Sequence, residues 1–244
     1  MQPAFLPWQG FFELIYQAEV FVILDDFQFS VQSYHQRNRL FTNVGQVGWY
    51  TVPISKAGSF GSALNETRID EILPWRKKML ARLRQNYSKA PFYNDIFPKI
   101  EEWLDMPAAS LADINIAFIK LVLNLLSWER ELRFSSECVS NAVRSHRVLE
   151  LLQWCNANQY LAAAGSFGYM VKDGVFPQEN IPVIFQNFEP DCYRQVGSPD
   201  KFEPFLSVLD SLFNIGSEET AALIIAGTKK WRDWDDMLGI EEKH

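Results

Sequence analysis

The sequence predicts a mixed α/β fold on a mainly parallel sheet with a helical insertion, and three observations carry that expectation. A helical period begins at Phe11, placing Phe11, Leu14, Ile15 and Ala18 on one face and Glu13 and Gln17 elsewhere. It runs directly into Val20-Phe-Val-Ile-Leu24, an unbroken apolar stretch stopped by Asp25-Asp26, which reads as a strand buried on both faces. The same rhythm returns later, in a strand at Arg133–Ser136, a helix at Arg147–Asn156 and a strand at Tyr160–Ala163.

Taken in order, Met1 to Trp8 is too short for a full strand and its turn, so a cropped strand or a stub is expected ahead of the first helix. Trp49-Tyr-Thr-Val-Pro-Ile54 alternates as a strand does, with Pro53 near its end. Glu66–Asp70 is a third strand candidate. Trp75–Tyr87 reads as a helix with a basic exterior of Arg76, Lys77, Lys78, Arg82 and Arg84, stopped by Pro91; Asn94–Leu104 reads as the next. Ser110, three residues before Asp113, has the spacing of a capping arrangement for the apolar helix Leu111–Trp128. Tyr160–Ala163 leads into a Gly165-Ser-Phe-Gly168 turn, Ile181–Phe185 is a further strand, and Phe205–Phe213 opens the last helical segment. Gly58-Ser-Phe-Gly61 matches the later turn, but its surroundings do not, so no repeat is read. The expectation is one α/β domain over 1–244, largely helical at about 71–130.

Composition narrows the function. With 48% hydrophobic residues, including 19 Phe, 8 Tyr and 8 Trp, the chain can bury a core, which excludes disorder. A net charge of −7 and a pI near 5.1 argue against generic nucleic-acid binding, which leaves a basic footprint. The three cysteines, Cys138, Cys155 and Cys192, are odd in number and far apart, so neither a disulfide framework nor a paired-cysteine zinc site is expected. No His, Asp and Glu cluster has metal-site spacing. The longest apolar stretch, Ile114–Trp128, carries Lys120 and Asn124 and is too short to span a bilayer. Without signal-peptide features, the expected location is the cytoplasm and no membrane partner is expected.

The candidate site follows from position. Ligands of open α/β sheets gather outside the carboxyl ends of the strands, where helix N-termini also point. The Pro7–Gly10 turn and Asp25-Asp26 are expected at that edge, with Gly10 allowing close approach to the backbone. Arg37, Asn38 and Arg39, read as a loop after the strand, suit a phosphate or carboxylate. The alternative is that these residues shape a turn, stop a strand and sit in solvent. Asp25, Asp26 and His35 are the catalytic candidates, His35 as a general base or else a surface histidine. Gln2, Trp8, Gly10, Gln28, Tyr34, Arg37, Asn38, Arg39 and Ser166 are the substrate-binding candidates, Ser166 in an anion-binding turn or as a helix cap. Most are expected to converge on one cleft walled by Trp8 and Tyr34. The aromatics Trp8, Phe11, Phe12, Phe27, Phe29 and Tyr34 can stack on sugars or bases. The basic helix is a solvated face or a contact for a carrier protein or RNA.

Met1 through Ile15, Val20 through Ser30 and Arg37-Asn-Arg39 together resemble the opening of the WbqC-like family. The likeness continues through Trp49-Tyr-Thr-Val-Pro53, Tyr87-Ser-Lys-Ala-Pro91, Ala112-Asp-Ile-Asn115, Phe188-Glu-Pro190 and Leu206-Ser-Val-Leu-Asp210. It implies a bacterial cytoplasmic protein of O-antigen, other surface-polysaccharide or secondary-metabolite biosynthesis. With that setting comes an expected transferase, moving an acyl or aminoacyl group to the amino group of a nucleotide-linked sugar or related small molecule. Nucleotide sugar or acyl donor is then the partner; no cofactor or oligomeric state is implied. More distantly, the Gly-containing turn between strand and helix is similar to that of nucleotidylyltransferases, a Rossmann-like likeness. Their His-x-Gly-His signature reads Trp8-Gln9-Gly10-Phe11 here, so both imidazoles are replaced by aromatics. Nucleotidylyl or adenylyl transfer, with Mg²⁺ on Asp25-Asp26, and a non-catalytic sugar or nucleotide binder are the alternatives.

Overall fold

The period read from Phe11 is realised as α1 (Gln9–Gln17), which buries Phe11, Phe12, Leu14 and Ile15 and passes almost directly into β1 (Val20–Ile23). The structure is a computed structural model and describes every residue except 44, 56–60, 179, 199 and 242–244. Of the first Gly-Ser-Phe-Gly stretch, residues 58–60 therefore lie outside the described residues.

The chain is mixed α/β, with eight α-helices among the described residues. β1 pairs in parallel with β4 (Glu131–Phe134), Val20 opposite Glu131 and Ile23 opposite Phe134. On the free edge of β1 the Met1 amino group donates to Val22 O at 2.6 Å, and Leu24 N donates to Met1 O at 2.9 Å. Met1 thus runs alongside β1 as a one-residue stub. A second parallel pair joins β5 (Tyr160–Ala163) to β6 (Val183–Gln186). The remaining pair corrects the expected topology. Arg37-Asn-Arg39 is no loop: it opens β2 (Arg37–Asn43), a hairpin strand antiparallel to β3 (Gln46–Thr51). Its polar start hides the strand signal, because an Arg-Asn-Arg run lacks β-branched and aromatic residues. Glu66–Asp70 forms no strand, only an isolated bridge between Ile69 and Ile54.

The insertion is three helices, α2 (Trp75–Tyr87), α3 (Tyr93–Asp105) and α4 (Leu111–Leu125). Ser110 caps α4 reciprocally: its hydroxyl accepts from Asp113 N at 3.1 Å, and the Asp113 carboxylate accepts from Ser110 N at 2.9 Å. Most of the basic exterior of α2 is engaged within the fold. Arg76 pairs with Glu71, Arg84 with Glu101, and Arg82 donates to Trp49 O.

The second half adds α5 (Arg144–Trp154), α6 (Phe167–Asp173), α7 (Val208–Ile225) and α8 (Trp234–Glu241). Gly216, at φ 78°, kinks α7 where a side chain would meet the Phe92 ring at 2.7 Å. Two hydrophobic clusters result. The larger gathers α1, β1, the hairpin, α2–α4 and α7; the smaller gathers Val148, Ala162, Phe167, Met170, Phe176, Val183 and Phe185 with Met237 of α8. Two buried acids cross-link distant segments. Glu13 of α1 accepts from Gln186 Nε2, Thr228 N and Thr228 Oγ1, each at 2.6 Å. Asp210 accepts from Tyr87, Tyr193 and Gln195, and burial raises its pKa to about 6.

Candidate functional site

The segment ahead of α1 is held in an unusual shape by β2. Leu6 has φ 46°, a left-handed conformation that costs a non-glycine residue about 1–2 kcal/mol. Asn38, buried on β2, offsets this by donating from Nδ2 to Phe5 O (3.2 Å) and Leu6 O (2.8 Å), while its Oδ1 accepts from Arg39 N (2.8 Å). The turn so fixed sets the Trp8 indole against Phe188 and Phe205, at ring separations of 5.1 and 5.5 Å. Gly10 serves that indole and not a ligand: a Cβ there would lie 2.3 Å from the Trp8 ring.

His35 is a buried residue and not a surface histidine. Ser30 N donates to Nδ1 at 3.4 Å, which assigns the proton to Nε2, and Nε2 then donates to Gln2 Oε1 at 2.9 Å. Burial pushes its pKa down to about 4, so the ring is neutral at pH 7. Arg39, one residue beyond Asn38, makes one long contact from Nη2 to Phe205 O (3.5 Å), and its buried Nε has no partner among the described residues. Phe205 is itself left-handed, at φ 59°.

From the second half come Arg144, Tyr160, Ser166 and Tyr169. Arg144 begins α5 at φ 55°; its guanidinium pairs with Asp173 at 3.2 Å, and that carboxylate also accepts from Ser145 Oγ at 2.7 Å. Tyr160 and Tyr169 both line a cavity wall, and burial raises both above the usual phenol range, keeping them neutral donors. Ser166 stands at the N-cap position of α6 but makes no side-chain cap hydrogen bond; its hydroxyl donates to Ala163 O at 2.6 Å.

Trp8, His35, Asn38 and Arg39, with Arg144, Tyr160, Ser166 and Tyr169, line one cavity of about 900 Å³. Gln2, Trp8, Tyr34, His35, Asn38 and Arg39 line it from the first half, Arg144, Tyr160, Ser166 and Tyr169 from the second, with Phe11, Leu24, Phe27, Val148 and Phe205 as apolar wall. It opens where the two hydrophobic clusters meet. That volume accommodates a drug-sized or nucleotide-sized ligand.

Five candidates stand apart from it: Gly10, Asp25, Asp26, Gln28 and Arg37. Asp25 is buried and already accepts from Ser136 N (3.0 Å), Ser136 Oγ (2.7 Å) and Ser135 Oγ (3.2 Å). Asp26 pairs with Arg147 at 3.2 Å and accepts from Ser135 Oγ. These acids lace the end of β1 to the turn after β4. Arg37 lies over the Trp49 ring at 4.2 Å, and Gln28 is exposed, its backbone bridged to Ala63. Conversely, sequence reading missed Arg144, Tyr160, Tyr169 and Phe205 as site residues. Tyr160 carried a weak signal, a polar-tipped ring at the edge of an apolar strand. The left-handed Arg144 carried none, since that conformation has no arginine signature. Among the described residues no group of three or more His, Cys, Asp or Glu is placed to hold a metal, and no helix is long and apolar enough to cross a membrane.

A family model described as the WbqC-like protein family matches residues 2–222, a span that contains all of the cavity wall except Met1. The chain belongs to the WbqC-like protein family. This WbqC-like chain is also similar to an uncharacterized protein of Mycobacterium tuberculosis, 31% identical over 224 residues, which cover 89% of this chain and 93% of the relative. No solved structure matches the WbqC-like chain significantly.

Proposed function

We propose that this WbqC-like protein is a cytoplasmic transferase of bacterial surface-polysaccharide or secondary-metabolite biosynthesis. In this reading it holds a nucleotide-linked sugar or related small molecule in the cavity between its two hydrophobic clusters. It moves an acyl or aminoacyl group onto the amino group of that molecule. The two short parallel pairs then form the remnant of a Rossmann-like core, and the cavity lies near the carboxyl end of β1. The observation that carries the reading is convergence. Polar groups from residues 2–39 and 144–169 meet over one space, and three left-handed non-glycine residues, Leu6, Arg144 and Phe205, lie in or against its wall. Such strain persists only where surrounding contacts over-determine it, and it clusters at functional sites. His35, hydrogen-bonded to Gln2, supplies the wall's imidazole, which burial holds in its neutral form.

Incubation with nucleotide-linked amino sugars and acyl or aminoacyl donors, read by mass spectrometry, tests the transfer. A mass increment on the sugar, abolished in Trp8→Ala, is the expected result. No increment across a broad panel, from protein with a cooperative melting transition, would reject it.

One observation favours a second reading, a non-catalytic binder. The two acids best placed by sequence to act as bases have their oxygens occupied, and both ring nitrogens of His35 are engaged. Stabilisation of the protein by nucleotide sugars with no turnover would select that reading.

A further inference from the structure

We infer that Arg39 and Arg144 form a two-sided clamp for a phosphate or diphosphate group, which makes the ligand a phosphorylated compound gripped across the junction of the two hydrophobic clusters. This rests on the cavity being the ligand site.

The two arginines line the same space from opposite halves of the chain. Arg39 is carried by the hairpin strand β2, whose carbonyl at Arg39 accepts from Ser207 N at 3.1 Å; Arg144 stands at the head of α5. Electrostatics points to an anion. The chain carries −7 overall, yet no Asp or Glu is among the described residues lining the cavity, while two arginines are. Asp173 neutralises one of them at most.

Arg39 is under-satisfied. Among the described residues its one side-chain hydrogen bond is at the outer limit of length, and its Nε is shut off from solvent with no acceptor. No ion pair holds the Arg39 guanidinium among the described residues, so it keeps donor capacity that a ligand oxygen can fill. Arg144 shows the complementary sign. An arginine in the left-handed region is strained, and here its direction is set by the Asp173 carboxylate, itself held by Ser145. A lone carboxylate is satisfied by one guanidinium fork. Two arginines lining one cavity match the larger oxygen set of a phosphate or diphosphate.

Calorimetric titration of the full chain with sodium pyrophosphate, UDP and uridine tests the clamp, using wild type, Arg144→Gln, Arg144→Lys and Arg39→Lys. Arg144 is exposed enough that its replacement leaves folding intact, checked by an unchanged melting midpoint. The expected result is that pyrophosphate and UDP bind wild type, and that Arg144→Gln weakens both by at least about tenfold. Arg144→Lys recovers part of that loss, and wild-type affinity falls as salt rises. If Arg144→Gln and Arg39→Lys both bind pyrophosphate as wild type does, the clamp is wrong. The same holds if wild type binds neither pyrophosphate nor UDP. Uridine binding without a phosphate contribution overturns the clamp while leaving the ligand site standing. Pyrophosphate binding without any acyl transfer supports the clamp while rejecting the transferase.

Discussion

The end of β1 and the cavity beside it hold residues of equal chemical promise but opposite status. At the end of β1, Asp25 and Asp26 meet Ser135, Ser136 and the buried Arg147, and the acceptor oxygens of Asp25 are occupied from within the chain. Arg147 is equally occupied, donating also to Ser135 O and Cys138 O. In the cavity wall, Arg39 has no carboxylate partner among the described residues, and Gln2 uses its oxygen on His35. The difference separates a structural knot from a binding surface. A charged side chain whose hydrogen-bonding capacity is filled by its own fold holds the fold. One with capacity left over, beside a space, is available to a ligand.

The largest expected effect falls on the knot. Arg147→Met should destabilise the protein by about 3–5 kcal/mol in urea unfolding, because it strands Asp26 and two carbonyls beside a buried apolar group. A loss under about 1 kcal/mol would mean the knot is not structural.

Next in size is a pH effect that sets His35 against Asp210. The folded pKa of His35 is lowered, from 6.5 to about 4, so the unfolded chain takes up the proton first. Its stabilising contribution is present above pH 6.5 and is lost as pH falls toward 4, up to roughly 3 kcal/mol. Asp210 has its folded pKa raised, from 3.8 to about 6, so its contribution is fully present below pH 3.8 and is lost as pH rises through 6. The two slopes oppose one another. In His35→Gln the acid-side loss should shrink, and the variant should gain on wild type steadily from pH 6.5 to 4. Parallel stability curves for the two proteins would show that His35 is not held neutral by burial.

Gly10→Ala should cost about 1–3 kcal/mol as the new methyl drives the Trp8 indole from its place, and should shift tryptophan fluorescence and weaken any cavity ligand. An unchanged spectrum would undo the explanation of that glycine. Smallest of all, Gln28→Ala should change melting and ligand affinity by less than about 0.5 kcal/mol, because its side chain is exposed and away from the cavity. A clear loss of ligand affinity would return Gln28 to the site.

Much of the local structure was legible in the residues. The helix at Phe11 feeding an apolar strand, the Ser110–Asp113 cap and the strand at Tyr160 all depend on neighbours within a few positions. So did half of the site: Gln2, Trp8, Tyr34, His35, Asn38, Arg39 and Ser166 line one cavity. The hairpin at Arg37 was not legible, since its polar opening looks like a loop until Trp49 and Thr51 pair with it across the ladder. Nor was the fate of the acids.

What the sequence by itself determined is the α/β class, the family and the short-range elements, because period, caps and apolar runs act through contacts a few residues apart. Which polar groups remain available was decided only by the tertiary structure. Asp25 is filled by a serine 110 residues away and Asp26 by an arginine 121 residues away, whereas the cavity that Arg39 lines holds, among the described residues, a second arginine and no carboxylate. Hydrogen-bond capacity is a property of the residue, but its saturation is a property of whatever the fold brings within 3 Å.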